Sequence, residues 1–252
     1  MWNLAMLFTA FAGSVFAGGN MPFMFMPLPT VSTSSDNVLM LNLNEASASG
    51  DRVFLDSSPS GFIATCASAT CPSTIASASG NYLRFAWGQF LTLGTQVSQA
   101  FTGITVSVWT RNPDGQMFER GVWNNEDGFG LVITSGNYQF GHWFGGTGYP
   151  TYNLPLNSAV PADSAWHHVV GTMSPVGDGT TQWKIYTDGV LTASVIDKRT
   201  ITASVATTTL GRRATEARYF TGDVSSLGIW NRALNATEVQ NLYQSQNIIL
   251  TY

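Results

Sequence analysis

Apolar and polar side chains alternate over short stretches between Val38 and Trp230, and a period of two residues predicts β-strands. The clearest stretch is Phe101 to Trp109, in which Ile104, Val106 and Val108 occupy one face. We predict strands at Val38–Asn44, Tyr82–Phe85, Phe90–Leu93, Phe101–Trp109, Met117–Trp123, Gly130–Thr134 and Asn137–Phe144, and four more between Trp166 and Trp230. We predict an irregular segment at Asp51–Ser60 and through the loop that contains the cysteines.

Two short signals mark where the chain reverses and where it becomes helical. Asp188-Gly189 separates two alternating runs, which is the signature of a two-residue hairpin turn. Asn235 is a good N-cap residue, and the carboxylate of Glu238, three positions later, can reach back to it. We therefore expect a helix of about two turns from Ala236 to Gln244, packed onto the strands through Val239 and Leu242.

The second half of the chain carries an ordered series of motifs. In chain order they are Trp166/His168/Val169, Tyr186/Asp188/Gly189, Leu210/Gly211/Arg212, Gly222/Val224 and the run from Trp230 to Leu234. This series resembles the concluding half of a laminin-G-like, or concanavalin A-like, jelly roll, the family that includes laminin G modules and pentraxins. The resemblance implies an all-β fold, an antiparallel two-sheet sandwich with one short C-terminal helix, whose function is carried by its loops.

The N-terminal segment differs in composition from the rest. Residues 1–20 form an apolar leader, residues 21–37 a linker rich in Met, Phe and Pro and then in Ser and Thr, and residues 38–252 the jelly-roll domain. The leader is interpreted either as a cleaved signal peptide or as a retained anchor to a membrane or a membrane protein complex. As an anchor it would make contact through its large apolar side chains, Trp2, Leu7, Phe8, Phe11 and Phe16. Both interpretations place the domain outside the cytoplasm.

The charge and the cysteine content argue against several classes of function. Charged residues are 10% of the chain, with 11 Lys and Arg and a net charge of −4, which argues against a nucleic-acid partner. Cys66 and Cys71 are separated by four residues and have no further Cys or clustered His nearby, so a redox or metal motif is disfavoured. We predict a disulfide-closed loop, formed in an oxidising compartment.

The sequence lacks the usual catalytic patterns of hydrolases. A glycoside hydrolase of this architecture needs acidic residues that alternate along a strand, whereas Glu126 and Asp127 are adjacent and would point to opposite faces. No Gly-x-Ser-x-Gly motif is present, and His168 lies within a strand, where a structural hydrogen-bonding role is expected. We therefore predict a protein that is not an enzyme, with a glycoside hydrolase as the weaker alternative.

Two loop regions are candidates for binding. Oxygen ligands for calcium would come from Asp56, Asn125, Glu126 and Asp127, although the last three are equally consistent with a solvated turn. The departure at Ser225-Ser226, where the family often has acidic residues, weakens the calcium hypothesis.

The second candidate is an aromatic surface. Trp143, Tyr149 and Tyr152 lie in a glycine-rich loop, with Trp123 expected near them, and exposed rings of this kind stack on sugars or partner side chains. The alternative is that half of these rings belong to the core. The sequence thus predicts a non-catalytic binding module for a glycan or protein surface, or else a structural accessory subunit of a membrane complex held by its N-terminal segment.

Overall fold

The computed structural model describes residues 36–250, except for positions 96, 122–127, 143–155, 198–200, 202, 204 and 214–216. This part of the chain contains fifteen β-strands and one helix, α1 (Ala236–Leu250). The strands are β1 (Asn37–Leu41), β2 (Arg52–Leu55), β3 (Ile63–Cys66), β4 (Ser73–Ile75), β5 (Tyr82–Phe85), β6 (Leu91–Gly94), β7 (Ile104–Arg120), β8 (Phe129–Thr134), β9 (Asn137–His142), β10 (Leu156–Ala159), β11 (His167–Gly177), β12 (Thr180–Thr187), β13 (Val190–Asp197), β14 (Thr208–Leu210) and β15 (Phe220–Trp230).

Strand β7 is long enough to belong to both layers of a sandwich. Its first half pairs with β11 and β15, and its second half pairs with β8 and β14. The backbone at the transition has positive φ angles, 49° at Asn112 and 88° at Gly115. One layer therefore runs β13-β12-β11-β7-β15, with β1 and β5 both paired to β15. The other runs β10-β9-β8-β7-β14-β6-β3-β2.

The main core lies between these two layers. Phe140 of β9 and Trp183 of β12 meet there with ring centroids 5.5 Å apart, and both side chains are fully buried. Gly171 of β11 lies directly against the Phe140 ring, where any side chain would overlap it. The two layers therefore interdigitate as the inner faces of a β-sandwich do.

The helix covers the outer face of the layer that contains β11 and β12. A second apolar cluster lies beneath it and consists of Met40, Val170, Tyr186, Trp230, Leu234, Val239 and Leu242. The predicted packing of Val239 and Leu242 is confirmed. Trp109 of β7 lies on the same face, where its Nε1 donates to Gln246 Oε1 at 2.7 Å and its ring stacks on Tyr243. Both faces of the first half of β7 are consequently buried.

The two local signals predicted from the sequence are confirmed. Asp188 and Gly189 join β12 to β13 with φ angles of 52° and 78°, the positive values that the favoured hairpin turn requires. The N–H of Glu238 donates to Asn235 Oδ1 at 3.0 Å, and the N–H of Asn235 donates to Glu238 Oε2 at 2.8 Å. The helix is longer than predicted, because it continues past Gln244 to Leu250.

Two predictions about the first half of the chain are wrong. The segment predicted to be irregular contains the β2–β3 hairpin, paired from Arg52 with Cys66 to Leu55 with Ile63. Its pattern misleads because a cation, Arg52, takes an inward position while the apolar Leu55 is exposed. The predicted strands Phe101–Trp109 and Met117–Trp123 both overlap the single strand β7, which is continuous from Ile104 to Arg120 through a run that resembles a turn.

Several predicted features lie outside the described residues. They are the leader with Trp2, Leu7, Phe8, Phe11 and Phe16, the linker before Asp36, and the turn before Gly128. No helix within the described ranges is long and apolar enough to cross a membrane.

Candidate functional site

Trp87 is a large aromatic residue that the fold leaves in solvent. It is 69% exposed, although tryptophan is highly buried on average in folded proteins. The ring of Tyr219 meets it edge to face, with centroids 5.2 Å apart and an interplanar angle of 67°. This is a favoured geometry for two aromatic rings, so the contact fixes the orientation of an exposed indole.

A closed turn between β5 and β6 presents Trp87. The N–H of Gln89 donates to the carbonyl of Ala86 at 3.0 Å, and the Gln89 side chain accepts the N–H of Ala86 at 2.8 Å. Gly88 has a φ of 91°, which a residue with a side chain rarely adopts. The backbone that carries Trp87 is therefore held from both ends of the turn.

The neighbouring loop, between β14 and β15, supplies Tyr219 and Arg212, which form a β-bridge with each other. The Arg212 guanidinium lies 4.5 Å from the centroid of the Phe90 ring, and its Nε donates to the carbonyl of Arg213 at 2.9 Å. We refer to Trp87, Phe90, Arg212 and Tyr219 as the Trp87 platform. It combines flat rings with a cation, the combination that recognises ligands with both apolar and polar faces.

The predicted disulfide between Cys66 and Cys71 is present and supports this platform from one side. It closes a loop in which the Thr70 carbonyl accepts the N–H of Phe90 at 2.9 Å. The covalent closure restrains Thr70, and through this hydrogen bond it restrains the backbone at Phe90.

Most of the site residues predicted from the sequence lie outside the described part of the chain. They are the aromatic residues Trp123, Trp143, Tyr149 and Tyr152, and the candidate calcium ligands Asn125, Glu126 and Asp127. Their proposed roles stay predictions.

Asp56 is the candidate calcium ligand that the structure describes. Its Oδ1 accepts the backbone N–H groups of Met40 and Ser58, each at 2.7 Å. Its Oδ2 accepts the Ser58 hydroxyl at 2.7 Å and the N–H of Phe62 at 3.0 Å. Oδ1 thus ties the β2–β3 loop to β1, and Oδ2 closes hydrogen bonds within the loop. Among the described residues, no three His, Cys, Asp or Glu side chains are grouped so that they could hold a metal ion.

Ser107 and His168 form a buried pair with the composition of a nucleophile and its base. Ser107 Oγ lies 2.7 Å from His168 Nε2, and the imidazole stacks on Trp109 with centroids 5.1 Å apart. Burial lowers the pKa of His168 to about 3, because the charged ring would lose its contact with water. Both residues are buried beneath the helix, so the pair fits the expected structural role better than catalysis.

His167 points to the opposite face and bridges two carboxylates. Its Nδ1 is 2.7 Å from Asp188 Oδ2, and its Nε2 is 2.8 Å from Asp163 Oδ1. Burial by itself disfavours the charged ring, but the hydrogen bonds to Asp163 and Asp188 prevail, so the pKa of His167 is raised. The hydrogen bond from His167 lowers the pKa of Asp163. The bridge joins the β12–β13 turn to the loop that precedes β11.

Comparison with known families identifies the fold. Residues 85–240, more than half of the chain, match the family described as the concanavalin A-like lectin/glucanases superfamily. The chain belongs to this superfamily. The match confirms the predicted jelly-roll class, and it includes the two loops that form the Trp87 platform. A comparison with curated protein sequences found no match.

Solved structures share this superfamily fold at low sequence identity. The binding domain of Paraclostridial Mosquitocidal Protein 1 matches with a TM-score of 0.60 and 14% identity over 83% of this chain and 52% of that chain. Domain 4 of an extracellular arabinanase from Geobacillus stearothermophilus, solved in complex with arabinotriose, matches with a TM-score of 0.60 and 17% identity over 83% of this chain and 98% of that domain.

A third structure is botulinum neurotoxin type C, whose cell entry depends on interaction with two ganglioside molecules. It matches with a TM-score of 0.58 and 17% identity over 86% of this chain and 52% of that chain. The chain therefore spans about half the length of these toxin chains and nearly all of the arabinanase domain. At these identities the likeness shows a common fold.

Sequence reasoning missed the Trp87 platform, although one local signal was available. The run Ala86-Trp87-Gly88-Gln89 places a large ring beside a glycine in the short connection between two predicted strands, where a core residue is not expected. The contact with Tyr219 had no such signal, because it depends on strands that are far apart in the chain.

Proposed function

We propose that this protein is a non-catalytic carbohydrate-binding module that functions outside the cytoplasm and stacks a saccharide on Trp87. The observation that carries the proposal is an indole that is 69% exposed yet fixed in place by Tyr219. A ring that is already ordered loses little conformational freedom when a ligand covers it. The C–H face of a sugar ring is flat and apolar enough to provide that cover.

Two further observations support the proposal. Arg212 places a guanidinium over the ring of Phe90, three positions along the chain from Trp87, and guanidinium N–H groups are donors suited to sugar hydroxyls. The arabinanase domain that shares the fold was solved with arabinotriose, which supports a saccharide as the ligand class. The disulfide supports a location outside the cytoplasm, because such bonds persist in oxidising compartments.

The test is retention of the purified protein on an array of neutral oligosaccharides, followed by titration with a retained sugar. We expect Trp87→Ala to weaken binding by about tenfold, the equivalent of roughly 1.4 kcal/mol of stacking. Trp87→Phe, which keeps a ring, should lose less. The melting temperature should change by no more than about 2 °C, because an exposed side chain contributes little to stability.

The matched control is Ile196→Ala, which removes an exposed apolar side chain on β13, in the layer opposite β6 and β14. This variant should bind as the unmodified protein does. Equal retention of Trp87→Ala and the unmodified protein would overturn the proposal, as would the absence of any retained saccharide.

The glycine-rich loop predicted from the sequence is a second candidate surface and is tested in the same assay. Loss of retention in Trp143→Ala and Tyr149→Ala, with Trp87→Ala unaffected, would transfer the binding site to that loop. Unfolding of both loop variants would instead assign those rings to the core.

A further inference from the structure

A polar pocket lies beside the disulfide loop. It has a volume of about 280 Å³ and is formed by the segment before β2, the disulfide loop and β4. The side chains that line it are mostly small and hydroxylated, and its one charged side chain is Arg52: Ser47, Ser49, Arg52, Ser68, Ser73 and Thr74. We refer to it as the Arg52 pocket.

The guanidinium of Arg52 is held firmly in this pocket. Its Nη1 donates to the carbonyl of Pro72 at 3.1 Å, and its Nη2 donates to Thr74 Oγ1 at 2.6 Å. The group also lies 4.7 Å from the centroid of the Phe54 ring. Arg52 is only 7% exposed, so its charge has lost most of its contact with bulk water.

The charge of Arg52 is not balanced by a carboxylate in the described part of the chain. Within the described ranges, the two groups that accept hydrogen bonds from Arg52, a carbonyl and a hydroxyl, are both neutral. Arg111, by contrast, pairs with Asp223 at 2.6 Å, and the adjacent Asp51 uses its Oδ1 to accept the N–H of Ser68. A buried cation is costly unless an anion accompanies it, and the pocket that Arg52 lines has room for one.

We propose that the Arg52 pocket binds an oxyanion, either the carboxylate or the sulfate of an acidic ligand. A guanidinium has its donors in a planar fork that fits two oxygens of such a group. Ser49 and Ser73 also line the pocket, and a serine hydroxyl can act as a further donor. This site uses none of the residues of the Trp87 platform, so it does not depend on the proposed saccharide stacking.

The test is a titration of the ¹⁵N-labelled protein with sodium glucuronate, sodium sulfate or glucose, followed at the Arg52 Nε–Hε resonance. Arg52→Lys lacks this signal and identifies it. We expect a saturable shift with a Kd on the order of 1 mM for glucuronate or sulfate, and no shift with glucose. A response to glucuronate alone means a carboxylate site, and a response to both anions means a general oxyanion site.

The decisive variant is Ser73→Leu, which places a bulkier side chain at a residue that lines the pocket and removes neither hydrogen-bond acceptor of Arg52. It should weaken anion binding at least about tenfold. Ser60→Leu, an exposed serine outside the pocket, is the matched control and should bind normally. Trp87→Ala should also keep the anion response, which separates this inference from the saccharide proposal. No saturable shift with either anion, or an unchanged affinity in Ser73→Leu, would overturn it.

Discussion

The imidazole of His168 is buried against Trp109 and the helix residue Tyr243, and this burial determines its protonation. Its pKa is lowered to about 3, whereas a histidine in an unfolded chain titrates near about 6.5. Below pH 6.5, the unfolded chain binds a proton at this position that the folded chain does not bind. His168 therefore leaves the fold most stable above its unfolded pKa, and stability falls as the pH is lowered from there toward 3.

Replacement of His168 should make the free energy of unfolding depend less on pH under acidic conditions. We expect His168→Gln, measured by urea unfolding, to be less stable than the unmodified protein at pH 7, because the stacked ring is lost. Between pH 7 and pH 4.5, however, the variant should lose less stability than the unmodified protein, by roughly 2 to 3 kcal/mol. The carboxylates and His167 are common to both proteins, so their titration cancels. Parallel profiles would contradict burial of a neutral His168.

The structural role of His168 could be predicted from its place in a strand, but its partners could not. Ser107 and Trp109 reach it across the β7–β11 pairing, and Tyr243 reaches it from α1, whose position on the sheet is set by tertiary packing. The same limit applies to Trp87, which differs from the buried Trp109 through tertiary contacts and not through its own identity. The role of a residue could thus be predicted where strand periodicity determines which face its side chain occupies. It could not be predicted where the contact is made between loops that are distant in the chain.

At the scale of elements, the N-terminus of α1 offers a test of how much a cap contributes. Asn235→Ala removes the acceptor for the Glu238 N–H, while Glu238 keeps its pair with Arg232 at 2.7 Å. We expect the free energy of unfolding to fall by about 1 kcal/mol, measured in urea. Asn241→Ala, at an exposed position inside the helix, is the control and should be neutral or slightly stabilising. Equal effects of the two substitutions would mean that the cap contributes nothing.

The elements themselves were predictable to unequal degrees. The β12–β13 hairpin and the start of α1 are fixed by local chemistry at Asp188-Gly189 and Asn235, so the sequence sufficed. The end of the helix depends on Gln246 bonding to Trp109, which is a tertiary contact. Strand β2 was missed because its inward position holds Arg52, the residue from which the proposed anion site is argued. The alternation of apolar and polar residues that predicts a strand fails there at a residue with a candidate function, as is expected of functional sites.

At the scale of the whole molecule, the disulfide loop connects the two proposed sites. The Thr70 carbonyl holds Phe90 of the Trp87 platform, and the carbonyl of Pro72, next to Cys71, holds Arg52. Helix α1 and the β12–β13 turn belong to the other layer of the sandwich. Loss of the disulfide should therefore loosen one end of the molecule selectively.

We expect Cys66→Ala combined with Cys71→Ala to lower the free energy of unfolding by about 2 kcal/mol, because the short loop is no longer closed in the unfolded chain. Native-state hydrogen exchange should resolve the local part of this effect. The Phe90 amide donates to the Thr70 carbonyl and should exchange through local opening. We expect its exchange rate in the double variant to rise at least about tenfold more than the loss of global stability alone would produce. The Asp188 amide, which donates to the His168 carbonyl at 2.8 Å, is the internal control and should follow only the global change. If both amides accelerate equally, the loop does not hold the two sites in place, and its contribution is confined to overall stability.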